Sequence, residues 1–253
     1  MSNTTFNPVK NDEVKERSLS DIVTDNYQAA RVFEKYRLDF CCGGKKSLSQ
    51  ACAGKGLSSD VVIAELNELS SHSGGPKFRF DEWELDFLID YIINNHHLYV
   101  RDMIPVVSAH IEKVAAVHGE NHPETVETAR LFRIIYKDLK QHMLKEEQIL
   151  FPYIKYMVKT KQNNIPSEAP YFGQVENPIK MMEAEHQAAG NGFEEIRKIT
   201  NEYSIPEDAC NTYKTAYKEL REFEEDLHKH VHLENNILFP KSIALEKELR
   251  LSR

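Results

Sequence analysis

Cysteine is scarce in this chain. Four stand among 253 residues, and two of them, Cys41 and Cys42, are adjacent. That pattern excludes a small secreted disulfide scaffold. Consecutive Cα atoms lie about 3.8 Å apart, below the usual span of a relaxed disulfide, so the adjacent pair is a poor structural crosslink. Glycine and proline are also thin, ten of each, and no stretch alternates apolar and polar residues for long, which leaves little material for a β fold. A basic excess is missing too. Forty acidic residues against 32 basic give a net charge of -8 with no concentrated basic stripe, so the phosphate attraction behind nucleic-acid binding is absent and an anionic membrane surface is an equally poor partner. No segment reaches about 18 uncharged apolar residues, and the opening MSNTTFNPVKNDEVKERS has no apolar stretch behind a basic start, so a soluble cytoplasmic protein is expected.

What the chain does have is helix-forming text. Residues 1–17 are polar and expected to be disordered. From 18 to 70 the sequence predicts a small domain of three short helices around LDFCCGGKK, with Ser47 and Ser58 or Ser59 as N-caps. Residues 71–80, within SSHSGGPKF, have the composition of a linker. Residues 81–253 carry four long helical patterns, at about 81–118, 124–160, 176–203 and 207–249, interrupted by NHP, by NNIPSEAPYFG and by SIP. Short connections favour antiparallel neighbours in a four-helix bundle. Pro105, Pro152 and Pro240 are expected to kink these helices without ending them.

Two stretches of the second and fourth patterns repeat. HMLKEEQILFP at 142–152 returns as HVHLENNILFP at 230–240. Packing alone explains the Ile-Leu-Phe part, but His and Glu are costly to bury and both recur in register. Spaced i, i+4, each His and Glu share one helix face. The stripe Ile135, Leu139, His142, Glu146, Ile149, Tyr153 on the second helix is matched by Tyr213, Ala216, Leu220, Phe223, Leu227, His230, Glu234, Ile237 on the fourth. The other helices each offer one histidine in an apolar stripe: His97 among Ile93, Val100, Ile104, Val107, Ile111 and Val114, and His186 among Ile179, Met182, Ala189, Phe193 and Ile196. The four histidines are 45, 44 and 44 residues apart (97, 142, 186, 230), a spacing that brings them to one level in an up-down-up-down bundle.

Four imidazoles and two carboxylates without thiolate point away from structural zinc and toward iron, with manganese as the second choice, held as in non-haem di-iron bundles. Glu146 and Glu234 are expected to bridge, with two histidines for each ion and positions left for an oxo bridge, dioxygen or nitric oxide. His96, His228 and His232 are expected to point away from the site. His118 lies on the inward stripe, but 21 residues past His97 at about 1.5 Å each puts it roughly 30 Å away. Near Cys41 and Cys42, the charges of Lys45 and Lys46 and the start of the helix after Ser47 are expected to favour thiolate.

The segments LDFCCGGKKSL, HMLKEEQILFP, EAEHQAAG and HVHLENNILFP resemble motifs of hemerythrin-like proteins, and more narrowly of the repair-of-iron-centres di-iron proteins. The resemblance covers nearly the whole chain from about residue 18. It implies an all-α fold, a hemerythrin-like up-down-up-down four-helix bundle preceded by a small helical N-terminal domain. It also implies that His97, His142, His186 and His230 are terminal ligands of two iron ions, that Glu146 and Glu234 are their bridges, and that Cys41 and Cys42 are a functional vicinal pair. Two features depart from known patterns: Val100 stands where family members often carry a second histidine, and the fifth histidine of oxygen-carrying hemerythrins has no counterpart. The implied protein is cytoplasmic, often a homodimer, and responds to stress by repairing iron-sulfur clusters damaged by nitric oxide or peroxide, supplying iron from a labile di-iron centre. Damaged iron-sulfur proteins would then be its partners. A nitric oxide or peroxide-reactive oxidoreductase, with the cysteines delivering electrons, stays open at this point, as does a non-catalytic oxygen or nitric oxide sensor.

Overall fold

The computed structural model describes residues 11–72, 78–166 and 168–251, and every regular element among them is helical. Two compact units emerge. One runs up to Trp83 and takes in Val231–Ile237; the other comprises Glu84–His230 and Leu238–Arg253.

The first unit contains α1 (Asn11–Glu16), α2 (Leu19–Asp25), α3 (Ala29–Tyr36), α4 (Leu48–Gly54) and α5 (Ser59–His72), followed by a 3-10 turn at Phe80–Glu82. The caps are written in the sequence. Ser18 accepts from the Asp21 amide at 3.1 Å, and Ser47 with Gln50 forms a reciprocal capping box at the start of α4. The first of the three expected helices, which reads as continuous helical text from Leu19 to Tyr36, is divided into α2 and α3, because Asn26 turns its side chain to the Gln28 amide at 3.2 Å and so offers the backbone an alternative to the helix. Leu19, Val23, Phe33, Phe40, Leu48, Cys52 and Ile63 are buried at its centre.

Two expectations for the flanks change. Residues 1–10 and 73–77 lie outside the described residues, but 11–16 form α1, with Val14 buried and Lys15 paired to Asp60 at 2.9 Å. The stretch assigned to a linker is in part structured: α5 runs to His72, and Phe80 is buried against Tyr27 and Trp83 at ring-centroid distances of 4.9 and 4.6 Å.

From Leu85 onward the chain forms four helical arms. The first joins α6 (Leu85–Tyr91) to α7 (Leu98–His118), and the second joins α8 (Pro123–Lys145) to α9 (Phe151–Asn163). The third is α10 (Glu176–Ile199), and the fourth joins α11 (Asn211–Leu233) to α12 (Phe239–Leu251). Pro123 opens α8 at its first turn, where a missing N–H costs nothing. Below the level of the candidate site the arms meet in a cluster of Phe132, Phe193 and Phe223, with ring centroids 5.4 to 6.4 Å apart.

Three arms contain a π-helical turn, at Ile92–His97, Glu146–Leu150 and Glu234–Leu238. The prolines explain two of them. A proline within a helix cannot donate to the carbonyl four residues back and its ring pushes against it. For Pro152 that carbonyl belongs to Gln148, and for Pro240 to Asn236, both inside the π-turns. The helices therefore widen and continue, as Pro105 also allows within α7. In the first arm the side-chain amides of Asn94 and Asn95 donate to the carbonyls of Asp90 and Tyr91 at 2.7 and 2.8 Å.

Two of the widened turns, in the first and second arms, shift the inward stripe by one residue, while Ile237 of the fourth is buried as expected. Leu150 and Ile154 are buried where Ile149 and Tyr153 were expected, and Ile92 replaces Ile93. The third arm ends earlier than its pattern, since Asn201, Glu202 and Tyr203 take φ of 47°, 59° and 58°. Left-handed backbone costs roughly 1–2 kcal/mol per non-glycine residue. Here the Thr200 hydroxyl accepts from the Tyr203 amide at 3.1 Å, and the buried Tyr203 hydroxyl donates to Glu224 at 2.9 Å.

Candidate metal centre

The structure brings the six predicted residues together as two groups that share their carboxylates. His97, Glu146, His230 and Glu234 form one, and His142, Glu146, His186 and Glu234 the other; within each group the potential ligand atoms all lie within 4.8 Å of one another. None of the six residues is more than 2% exposed.

The detailed distances describe a shared site. His97 and His230 meet through their Nε2 atoms at 3.1 Å, and His142 and His186 through theirs at 2.9 Å. Glu146 stands between the pairs, its Oε2 3.4 Å from His97 Nε2 and 3.3 Å from His142 Nε2. Two imidazoles bound side by side to one ion, at metal–nitrogen lengths of about 2.1 Å, subtend a nitrogen separation of about 3 Å. The donor set fits the same conclusion. Two carboxylates deep in an apolar bundle carry a charge that burial penalises unless cations offset it, and nitrogen and oxygen donors suit iron.

Around these six residues lies a shell that the sequence pattern did not reveal. His97 Nδ1 donates to Glu147 at 2.6 Å, and His142 Nδ1 donates to Glu185 at 2.9 Å. Placing the proton on Nδ1 leaves the Nε2 lone pair directed at the site. Glu147 is held in turn by Arg101, and Glu185 by Lys145. The Glu185 carboxyl is lowered to about 2 by His142 and Lys145, against its partial burial. Neither glutamate stands out in the sequence, because a charge directly beside a ligand, as Glu147 is to Glu146 and Glu185 to His186, reads as part of a solvated face.

The Ile-Leu-Phe-Pro half of the repeat now has a role. Phe151 stacks on His97 with centroids 5.7 Å apart, and Phe239 stacks on His186 at 6.1 Å. Each repeat thus supplies two candidate ligands from its own helix and a ring that holds a histidine of another. His230 has a different cover, His96, parallel to it at 5.6 Å and bonded through Nδ1 to Asp226 at 3.0 Å. His96 was expected to face away; the π-turn at 92–97 rotates it inward and it is 5% exposed. His232 likewise is fully buried, and burial lowers its pKa to about 4. His228 is half-buried near Glu224, and His118 sits far along α7. A groove between α8 and α10, lined by Ile135, Leu139, Ala189 and Gly192, reaches His142 and Glu185.

Cys41 and Cys42 belong to the first unit, with Sγ atoms 3.9 Å apart, and with Asp39 they make a third group of metal-ligand type. Asp39 organises the turn, accepting the backbone N–H groups of Cys41, Cys42 and Gly43 at 3.1, 2.9 and 2.8 Å. Gly44 is required there, because a Cβ would lie 2.4 Å from the Phe40 carbonyl oxygen. Asn236 also belongs to this unit, and its side-chain amide donates to the carbonyls of Phe40 and Cys41 at 3.1 and 3.3 Å. The expected preference for thiolate does not hold at Cys41. Its thiol is pushed well above the ordinary range by the bond to Cys42, by burial and by the charge of Asp39, to which it donates at 3.3 Å. Lys45 and Lys46 are exposed and do not reverse this.

Four helical arms around a paired histidine and glutamate site define a hemerythrin-like metal-binding bundle. Residues 88–242 match the Hemerythrin HHE cation binding domain, and residues 15–70 match ScdA_N, described as a domain of unknown function (DUF542). The iron-sulfur cluster repair protein YtfE of Yersinia pseudotuberculosis serotype IB (strain PB1/+) is 37% identical over 239 residues, covering 92% of this chain and 100% of that protein. The protein of the same name from Escherichia coli O81 (strain ED1a) is 35% identical over 232 residues, 92% of this chain and 99% of that one. The chain therefore belongs to the YtfE family of iron-sulfur cluster repair proteins. Among the described residues no helix is long and apolar enough to cross a membrane.

Proposed function

We propose that this protein repairs iron-sulfur clusters damaged by nitrosative or oxidative stress, and that the iron it supplies comes from a di-iron site in its bundle. In this reading His97 and His230 hold one ion, His142 and His186 the other, and Glu146 and Glu234 join the two. The observation that carries it is the sharing of Glu146 and Glu234 between two buried groups of ligand type. Bound iron would supply redox chemistry and an exchangeable ion for a cluster that has lost one; an oxo bridge between the ions belongs to the same reading. The chain's own residues do the rest. Glu147 and Glu185 keep protons on Nδ1 of His97 and His142, Phe151 and Phe239 exclude water from two of the imidazoles, and the groove beside His142 admits a small ligand such as nitric oxide or dioxygen.

The small domain has its own part in this proposal. Asp39, Cys41 and Cys42 form an acceptor of the type that takes iron through thiolate and carboxylate, with a cation replacing the proton that Cys41 shares with Asp39. Residues 18–70 would act on the damaged client while 81–253 store the metal. The cytoplasm is the compartment that suits reduced thiols, and a homodimer is the assembly proposed. The test is reactivation in vitro of a [4Fe–4S] enzyme inactivated by nitric oxide, with the iron-loaded protein as the only iron source. Recovery of activity with a matching loss of iron from the protein is the expected result. Recovery that leaves the iron in place would overturn iron donation.

A further inference from the structure

The end of the bundle opposite the candidate centre carries a thiol that the functions above do not employ. Cys210 is free and exposed. It occupies the N-cap of α11: its carbonyl accepts from the Lys214 amide at 3.2 Å, which leaves its sulfur at the helix start. In the usual cap a hydroxyl or carboxylate oxygen stands at this position; here the amides of the first turn, that of Tyr213 foremost, and the helix dipole favour negative charge on sulfur. From the end of α7, His118 brings Nε2 to 3.2 Å from the same sulfur. Its ring is set by an edge contact to Tyr213, centroids 5.3 Å apart at 84°. The nearby carboxylates are engaged elsewhere, Asp208 and Glu124 both binding His122 at 3.0 and 3.1 Å.

A thiol held by an imidazole and by a helix start is the arrangement that makes cysteine a nucleophile. Its setting separates it from the other cysteines. Burial raises the Cys52 thiol, and Cys41 is raised by Cys42, burial and Asp39, whereas Cys210 is lowered to about 7, first by the Tyr213 amide and then by His118.

We propose that Cys210 and His118 form a second thiol site, one that exchanges with low-molecular-weight disulfides and carries a mixed disulfide. The Cys210 thiolate attacks one sulfur of the small disulfide. A new S–S bond forms as the old one breaks, and the departing thiolate takes a proton from the His118 imidazolium. Cys210 is oxidised and the released half is reduced to a thiol, so the disulfide itself is the oxidant.

The test uses the full-length protein with oxidised glutathione as the probe, and mass spectrometry resolved by peptide to separate the four cysteines. Adduct formation at Cys210 is expected to rise with pH through a midpoint near 7. In His118→Gln and His118→Asn the midpoint moves upward and the rate at pH 6 falls roughly threefold or more, with helicity by circular dichroism unchanged. Reading both variants guards against a folding defect in one. Adducts confined to Cys41 and Cys42, a Cys210 rate no greater than that of the urea-unfolded chain, or an unaltered pH profile in both folded variants would overturn the proposal.

Discussion

The Nε2 atoms of His97 and His230 lie 3.1 Å apart with both side chains fully buried. Two imidazole nitrogens brought that close, beside a pair of carboxylates, are arranged for a cation. Glu146 and Glu234 each belong to both groups, whereas each histidine belongs to one. Glu146→Ala or Glu234→Ala is therefore expected to reduce metal content toward zero, and His97→Ala to remove chiefly one of two ions. His118→Ala should leave the content unchanged. Elemental analysis of anaerobically purified protein reads all four; stoichiometric zinc, or one metal in the unsubstituted protein, would contradict the site.

Glu147 and Glu185 touch the far sides of His97 and His142. Replacing either by Gln keeps the shape and weakens the hold on the imidazole, and outer partners of this kind typically contribute 10–100-fold in metal affinity. A chelator competition titration should show a loss in that range for Glu147→Gln and for Glu185→Gln, with the fold intact.

Metal removal should destabilise the bundle, because the apo form keeps two buried carboxylates without cations. Occupancy at a hundred times the dissociation constant is worth about 2.7 kcal/mol, which in a domain of this size corresponds to a rise in Tm of roughly 5–10 °C. Calorimetry on iron-loaded and chelated samples measures it. Equal Tm values would argue against a buried shared site.

Cys41→Ser combined with Cys42→Ser should leave iron content and Tm unchanged and remove most of the reactivation of a damaged iron-sulfur enzyme. Asp39→Asn makes the complementary change. Asp39 charge raises the Cys41 thiol, so neutralising it lowers the pKa, and alkylation of Cys41 by iodoacetamide should begin at lower pH than in the unsubstituted protein.

Glu224 is buried, pairs with Arg197 and accepts the Tyr203 hydroxyl at 2.9 Å. Removing one member of a buried pair leaves the other charge uncompensated, at a cost of about 3–5 kcal/mol for Glu224→Ala. Tyr203→Phe deletes a single hydrogen bond and should cost about 1–2 kcal/mol. Urea denaturation would distinguish the two.

How much of this was legible in the sequence follows from where each residue's signal lives. The six candidate ligands could be found because they interrupt apolar stripes at helical spacing, and the repeat doubled the signal. Phe151 and Phe239 were visible as repeated letters, but their stacking on histidines of other helices is a relationship across the bundle that no single helix displays. Glu147 and Glu185 look like ordinary surface charges until the histidine from the neighbouring arm is in place. The buried positions of His96, Leu150 and Ile154 were missed for one reason: period 3.6 was carried through turns that are locally wider. The division between α2 and α3 depended on Asn26 choosing its own turn over the helix. At Cys41 the lysines were close in sequence, while the charge that counts, Asp39, bonds directly to the thiol.

The π-turns also govern what the gene can tolerate. Each places one additional residue at the level of the candidate ligands, so a one-codon deletion within 92–97, 146–150 or 234–238 would restore an ordinary helix and rotate everything beyond it by about 100°. In the first arm the deletion would swing His97 away from its partner; in the second and fourth it would turn Phe151 or Phe239 off the imidazole it covers. Connecting loops such as 164–175 can lengthen or shorten at modest cost. The three widened turns cannot, and among functional descendants of this sequence their length should stay constant while the loops drift.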